Sequence, residues 1–92
     1  MTNIELINIF EDITIEMRNI FEKKNADYGN SFSEQYQEYG LVSSCIRLED
    51  KMRRLKRLNN NEAQVKSESI EDTLLDMANY AIMTVMELRK QK

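Results

Sequence analysis

The chain has no histidine, no proline and no tryptophan, and only one cysteine and two glycines among its 92 residues. Zero histidine removes the commonest general base, the commonest transition-metal ligand and every histidine-assisted triad. A single cysteine excludes an internal disulfide framework and a cysteine-rich zinc site. A catalytic metal would have to sit on carboxylates, which means a hard ion such as Mg²⁺ or Mn²⁺. Few helix breakers, beside many Leu, Ile, Met, Glu and Lys, describe an all-α protein. Neither sign of charge dominates: 13 basic residues stand against 16 acidic ones, a net −3. A binder of a nucleic-acid polymer would be more basic. No apolar run approaches the ~20 residues that span a bilayer. The first residues lack the basic segment of a signal peptide, and Glu5, Glu11 and Asp12 interrupt their apolar pattern. These absences predict a soluble cytoplasmic protein with no membrane partner, and a lone reduced cysteine fits that compartment.

The length predicts a single domain over residues 1–92. A domain of this size hides only roughly two thirds of its unfolded surface, so self-association is expected. Helical spacing organises what is present. Helix one is predicted from about Asn3 to Lys24, opened by a Thr2-x-x-Glu5 capping box and closed by Lys23 and Lys24. Its apolar stripe is Leu6, Ile9, Phe10, Ile13, Met17, Ile20 and Phe21. A polar loop follows from Asn25 to Ser31, with Gly29 free to take a positive φ. Ser31-x-x-Glu34 opens a short second helix through Tyr39, and Gly40 suits the position just past its end. Helix three spans about Leu41–Leu58, with Leu41, Cys45, Leu48, Met52 and Leu55 as its core stripe, and ends at Asn59-Asn60-Asn61. Helix four spans about Glu68–Arg89, with Ser67 as N-cap. Its core stripe is Ile70, Leu74, Met77, Ala78, Ala81, Val85 and Leu88. Leu75, Ile82, Met83 and Met86 lie off that stripe, so helix four is apolar around much of its circumference. A bundle of two to three long helices and a short one, completed as a homodimer or homotetramer, is expected.

Three places could carry chemistry. Glu68, Asp72, Asp76 and Asn79 recur at i, i+4, i+8 and i+11 on one face of helix four. Like charges four residues apart repel by a few tenths of a kcal/mol. A metal, a cation or basic groups of another helix would offset this, and a solvated acidic face near a helix N-terminus is the plain alternative. Arg47, Lys51 and Arg54 recur at i, i+4 and i+7 on helix three. They could clamp a phosphate, with Arg forks matching its oxygens, or simply pair with the acidic stripe. The loop from Lys24 through Asp27, Tyr28 and Gly29 to Ser31 could stack a base on Tyr28, or serve only as a connector.

The runs Lys24-Asn25-Ala26-Asp27-Tyr28-Gly29, Tyr39-Gly40, Ile46-Arg47-Leu48-Glu49-Asp50-Lys51-Met52-x-Arg54-Leu55 and Glu68-Ser69-Ile70-Glu71-Asp72-Thr73-Leu74-Leu75-Asp76-Met77-Ala78-Asn79-Tyr80-Ala81-Ile82 resemble the nucleotide modification associated domain one family. That family is common in phage genomes and is similar in pattern to all-α pyrophosphohydrolases of the MazG and dimeric dUTPase type. Those enzymes hold Mg²⁺ on an E-E-x-x-E motif and an E-x-x-D motif, and the metal polarises a phosphate linkage for attack by water. The resemblance implies that Glu68 or Glu71, with Asp72 and Asp76, would play the second motif. Helix three departs from the first: it offers only the adjacent Glu49 and Asp50, with Arg47, Lys51 and Arg54 in the place of carboxylates.

Three functions therefore stand beside one another. In the first, a non-catalytic oligomer holds a nucleotide, as a phage sponge for the cyclic di- or oligonucleotide signals of bacterial antiviral systems such as CBASS and Thoeris. It would act in the host cytoplasm without a cofactor. Arg47, Lys51 and Arg54 grip phosphates, Tyr28 stacks on a base, and Lys24, Asp27, Asp72, Asp76 and Asn79 complete the site. In the second, a Mg²⁺-dependent pyrophosphohydrolase uses Glu68, Asp72 and Asp76 as metal ligands, with Glu49 or Asp50 completing them across an interface. In the third, the two stripes pair with each other in a structural or regulatory module.

Overall fold

The computed structural model describes residues 1–28, 30–60 and 67–91, and at 28, 67 and 68 it describes the backbone alone. The described residues form four helices: α1 (Asn3–Tyr28), α2 (Ser31–Tyr39), α3 (Leu41–Asn60) and α4 (Ser67–Lys90). They contain no strand. The all-α class and the order of the helices follow the sequence reading. The chain divides into two compact units, Met1–Asn30 and Ser31–Lys92.

The first unit is built on α1. Its start is the expected capping box: Thr2 N–H donates to Glu5 Oε2 at 3.0 Å, and Glu5 N–H donates to Thr2 Oγ1 at 3.2 Å. Its end corrects the expectation. Residues Asn25 to Tyr28 continue the helix rather than forming a loop. Lys23 and Lys24 therefore lie short of the last turn, which holds no basic residue. Gly29 and its expected positive φ lie outside the described residues. Met17 is buried, and Ile20 and Phe21 are half-buried. The rest of the expected stripe, Leu6, Ile9, Phe10 and Ile13, stays exposed.

The second unit holds α2, α3 and α4. α2 stops where Gly40 turns into the left-handed region at φ 75°, which L side chains enter only at a cost. Gly40 N–H donates to the Tyr36 carbonyl at 2.7 Å, satisfying an end-of-helix carbonyl. The Gly40 carbonyl then accepts from Ser43 N–H at 3.0 Å and from Ser43 Oγ at 2.9 Å. One glycine thus joins α2 to α3 with no intervening loop.

α3 and α4 run antiparallel, and polar side chains mark their register. Ser44 meets Thr84, Arg47 meets Tyr80, Lys51 meets Asp76 and Arg54 meets Thr73. Each step of three or four residues up α3 matches a like step down α4. The Ser44 and Thr84 hydroxyls are bonded at 2.8 Å. Thr84 Oγ1 also donates to the Tyr80 carbonyl at 2.7 Å, and Thr73 Oγ1 to the Ser69 carbonyl at 2.8 Å. These back-bonds keep buried hydroxyls satisfied where they would otherwise cost energy.

This register corrects the expected core face of α4. The buried residues are Thr73, Thr84 and Glu87; of the expected stripe Ile70, Met77 and Ala78 are half-buried, while Leu74, Ala81, Val85 and Leu88 are exposed. The helix turns a polar row toward α3 and α2, and the apolar row lies about one residue further around. On α3, the expected core residues Leu41, Cys45 and Met52 are exposed, and Leu48 and Leu55 are half-buried. The apolar core of this unit comes from α2, through Phe32 and Tyr36. Full burial of side chains like these contributes about 1.5–3 kcal/mol each. The core is therefore small, and the polar contacts carry much of the specificity.

Candidate functional site

Arg47 stands where all three helices of the second unit meet. Phe32 of α2 and Tyr80 of α4 lie nearly parallel, with ring centroids 5.9 Å apart and an 11° angle between planes. The Arg47 guanidinium carbon sits 5.2 Å from the Phe32 centroid and 5.5 Å from the Tyr80 centroid. The negative faces of both rings attract the cation. Arg47 Nε donates to Gln35 Oε1 at 2.8 Å. These contacts fix the guanidinium plane. Among the described residues, its two terminal nitrogens have no hydrogen-bond partner.

Beside it lies a cavity of about 320 Å³ between α2 and α3, lined by Gln35, Tyr39, Val42, Ser43, Ile46 and Arg47. That volume falls at the small end of the range for ligand sites. The walls are mostly apolar, with Arg47 and the Gln35 amide as the polar groups. A planar ring with an attached anion suits such a lining: Tyr39 offers an aromatic face and Arg47 a fork for oxygens.

The other expected site residues fall in several environments. Lys51 and Asp76 come together across the helices, with Lys51 Nζ 3.2 Å from Asp76 Oδ2. Their side chains are about one quarter exposed, 25% and 24%. Arg54 Nε donates to the buried Thr73 hydroxyl at 3.3 Å. Asp72 is exposed, and Asn79 is half-buried. Lys24 and Asp27 lie on the exposed last turns of α1. The side chains of Tyr28 and Glu68, and hence the stacking and metal roles expected of them, lie outside the described residues. Glu49 is bound to Arg53, 2.6 Å away on its own helix, and Asp50 is exposed. Among the described residues no group of three or more acidic or cysteine side chains is placed to hold a metal ion.

Sequence reasoning did not find Glu87. This carboxylate is 2% exposed. Ser33 Oγ donates to its Oε1 at 2.8 Å and Gln37 Nε2 to the same oxygen at 3.1 Å. Lys90 Nζ donates to Oε2 at 2.6 Å. The hydrogen bond from Lys90, with those from Ser33 and Gln37, lowers the Glu87 pKa against the opposing effect of burial. The carboxylate latches α2 onto α4 and so holds Phe32 and Gln35 at Arg47. Its signal in the sequence was the row Thr73, Met77, Tyr80, Thr84, Glu87, which steps by four and three residues like an inward-facing seam.

The family pattern of nucleotide modification associated domain 1 matches residues 24–88. The chain belongs to that family. The matched segment of this family member takes in Arg47, the cavity beside it and the whole α3–α4 seam. No curated protein and no solved structure matches the chain. No helix among the described residues is long and apolar enough to cross a membrane.

Proposed function

We propose that this chain binds a nucleotide and holds it without hydrolysis, with Arg47 as the principal phosphate contact. The observation that carries the reading is the guanidinium fixed between Phe32, Tyr80 and Gln35 at the wall of the α2–α3 cavity. A cation held before ligand arrives spends little entropy on binding. Tyr39, in the lining of the same cavity, would stack on the base, and membership of a nucleotide-associated family agrees with this ligand class. The pairing of Lys51 with Asp76 supports holding over cleavage. A Mg²⁺ site on α4 would need Asp76, and that carboxylate already faces an ammonium group. In its most specific form the holder is a phage sponge, a homodimer or homotetramer that sequesters a cyclic di- or oligonucleotide signal in the host cytoplasm. The same Lys51–Asp76 pair also favours a second reading, a module in which the charged stripes serve structure alone.

A thermal-shift screen of mono-, di- and cyclic nucleotides, with and without Mg²⁺, tests the proposal. A true ligand at 100 times its Kd adds roughly 2.7 kcal/mol. The ligand should be recovered intact, and Arg47→Met should abolish its shift. Turnover that depends on Mg²⁺ would establish the pyrophosphohydrolase instead. Absence of any nucleotide shift would leave the structural module.

A further inference from the structure

α4 carries two rows of the same rhythm. The inner row of Thr73, Met77, Tyr80, Thr84 and Glu87 includes the contacts to α3 and α2. The outer row is Leu74, Ala78, Ala81, Val85 and Leu88, each one residue later. Alternating steps of four and three keep a row straight against another helix. Apart from half-buried Ala78 the outer row is exposed: Leu74 by 47%, Val85 by 45% and Leu88 by 45%, with Ile82 at 48% alongside. Its centre is two alanines, which let a second backbone approach closely. Charge is divided along the same helix. Exposed Glu71 and Asp72 stand in the first half and Arg89 in the last turn, while Asp76 is paired with Lys51 and Lys90 with the buried Glu87.

We infer that α4 of one copy pairs antiparallel with α4 of a second copy along this outer row. The alternation sets the layers. Ala78 faces the partner's Ala81, Leu74 faces the partner's Val85, and the Glu71–Asp72 end lies beside the partner's Arg89. Reversing one helix is what makes the charges complementary. Parallel pairing would set acid against acid at one end and base against base at the other, and such juxtapositions select against a wrong arrangement. The arrangement is two-fold and self-complementary, the commonest form of oligomer. The inference rests on the oligomeric part of the proposed function and not on the nucleotide. A chain that assembles but binds no nucleotide overturns the one and leaves the other standing.

Sedimentation velocity and disulfide trapping test it. The parent should sediment as a dimer or larger. Val85→Glu, at an already exposed position, should cut the mass by half or more with its helical circular dichroism intact. Arg89→Glu should weaken assembly, and adding Glu71→Lys should restore it. In a Cys45→Ser background, Leu74→Cys and Val85→Cys chains should link to each other when mixed and oxidised, while neither links to itself. A monomeric parent, an assembly indifferent to Val85→Glu, or Leu74→Cys chains that link to themselves would overturn the inference.

Discussion

Replacing Glu87 by alanine should loosen α2 from α4. The substitution removes the acceptor of the Ser33 and Gln37 hydrogen bonds, made at 2.8 and 3.1 Å to a carboxylate that is 2% exposed. Hydrogen bonds to a charged group contribute about 1.5–3 kcal/mol each, and two that share one oxygen do not add fully. The Lys90 contact is discounted in this sum, because that side chain is 55% exposed and regains water when released, although it leads the causes that lower the Glu87 pKa. The sum is about 2–4 kcal/mol. At roughly 4–8 °C per kcal/mol for a small domain, Tm should fall by roughly 8–32 °C. Glu87→Gln keeps an acceptor for Ser33 and Gln37 and loses the charge, so it should cost about 1 kcal/mol. The direction of the pH effect follows from the lowered pKa of Glu87. A carboxylate bound more tightly in the folded state stabilises fully above its unfolded pKa, about 4.3. That stabilisation drains as pH falls through the lower folded value. The gap between parent and Glu87→Ala should therefore be widest near neutrality and narrow in acid. Thermal melts followed by far-ultraviolet circular dichroism across pH measure it. A Glu87→Ala variant that melts with the parent at neutral pH, or a gap that widens in acid, would refute the latch.

The buried hydroxyl pair offers an asymmetric test. Thr84→Val alone strands the Ser44 hydroxyl, which is 1% exposed, at about 1–3 kcal/mol, while the added Ser44→Ala change should recover most of the loss. Urea titrations of both variants decide it, and a double variant weaker than Thr84→Val counts against the pairing. Gly40→Ala has room for its methyl group, since nothing lies within 4 Å of the added carbon. The positive φ alone should cost about 1–2 kcal/mol, read in the same titration. Lys51→Met takes the ammonium from a partly exposed Asp76 and should cost about 1 kcal/mol at low salt and less at high salt. Equal losses at both salt concentrations would show that screening plays no part.

What was legible in the sequence was local. The Thr2–Glu5 box needs only a spacing of three and two side chains, and it formed. Gly40 needs only its missing Cβ. The end of α1 was misread because Asn25 and Asp27 suit turns, yet no breaker precedes Gly29 and the helix runs on to Tyr28. The face of α4 was misread for a different reason. Hydrophobicity selects the row of Leu74 and Val85, but burial depends on what the neighbours offer. α3 offers Ser44, Lys51 and Arg54, and α2 offers Ser33 and Gln37, so the polar row one residue away has the better partners. Arg47 was picked out from its charge and position. Its cage of Phe32, Tyr80 and Gln35 draws on three helices, and no spacing within one helix announces it.

The polar seam also acts as a ruler. Sliding α4 by one turn along α3 would part Ser44 from Thr84, Lys51 from Asp76 and Arg54 from Thr73 in a single movement. A greasy seam would tolerate such a slip, because one leucine replaces another at little loss. The charged stripes repeat after one turn, so a displaced Lys51 would meet Asp72; the buried Ser44–Thr84 pair has no such substitute and indexes the seam. The height of Arg47 on α3 is thereby tied to the height of Leu74 and Val85 on α4. Any molecule gripped at the one and any surface docked at the other keep a fixed distance along the helix axis.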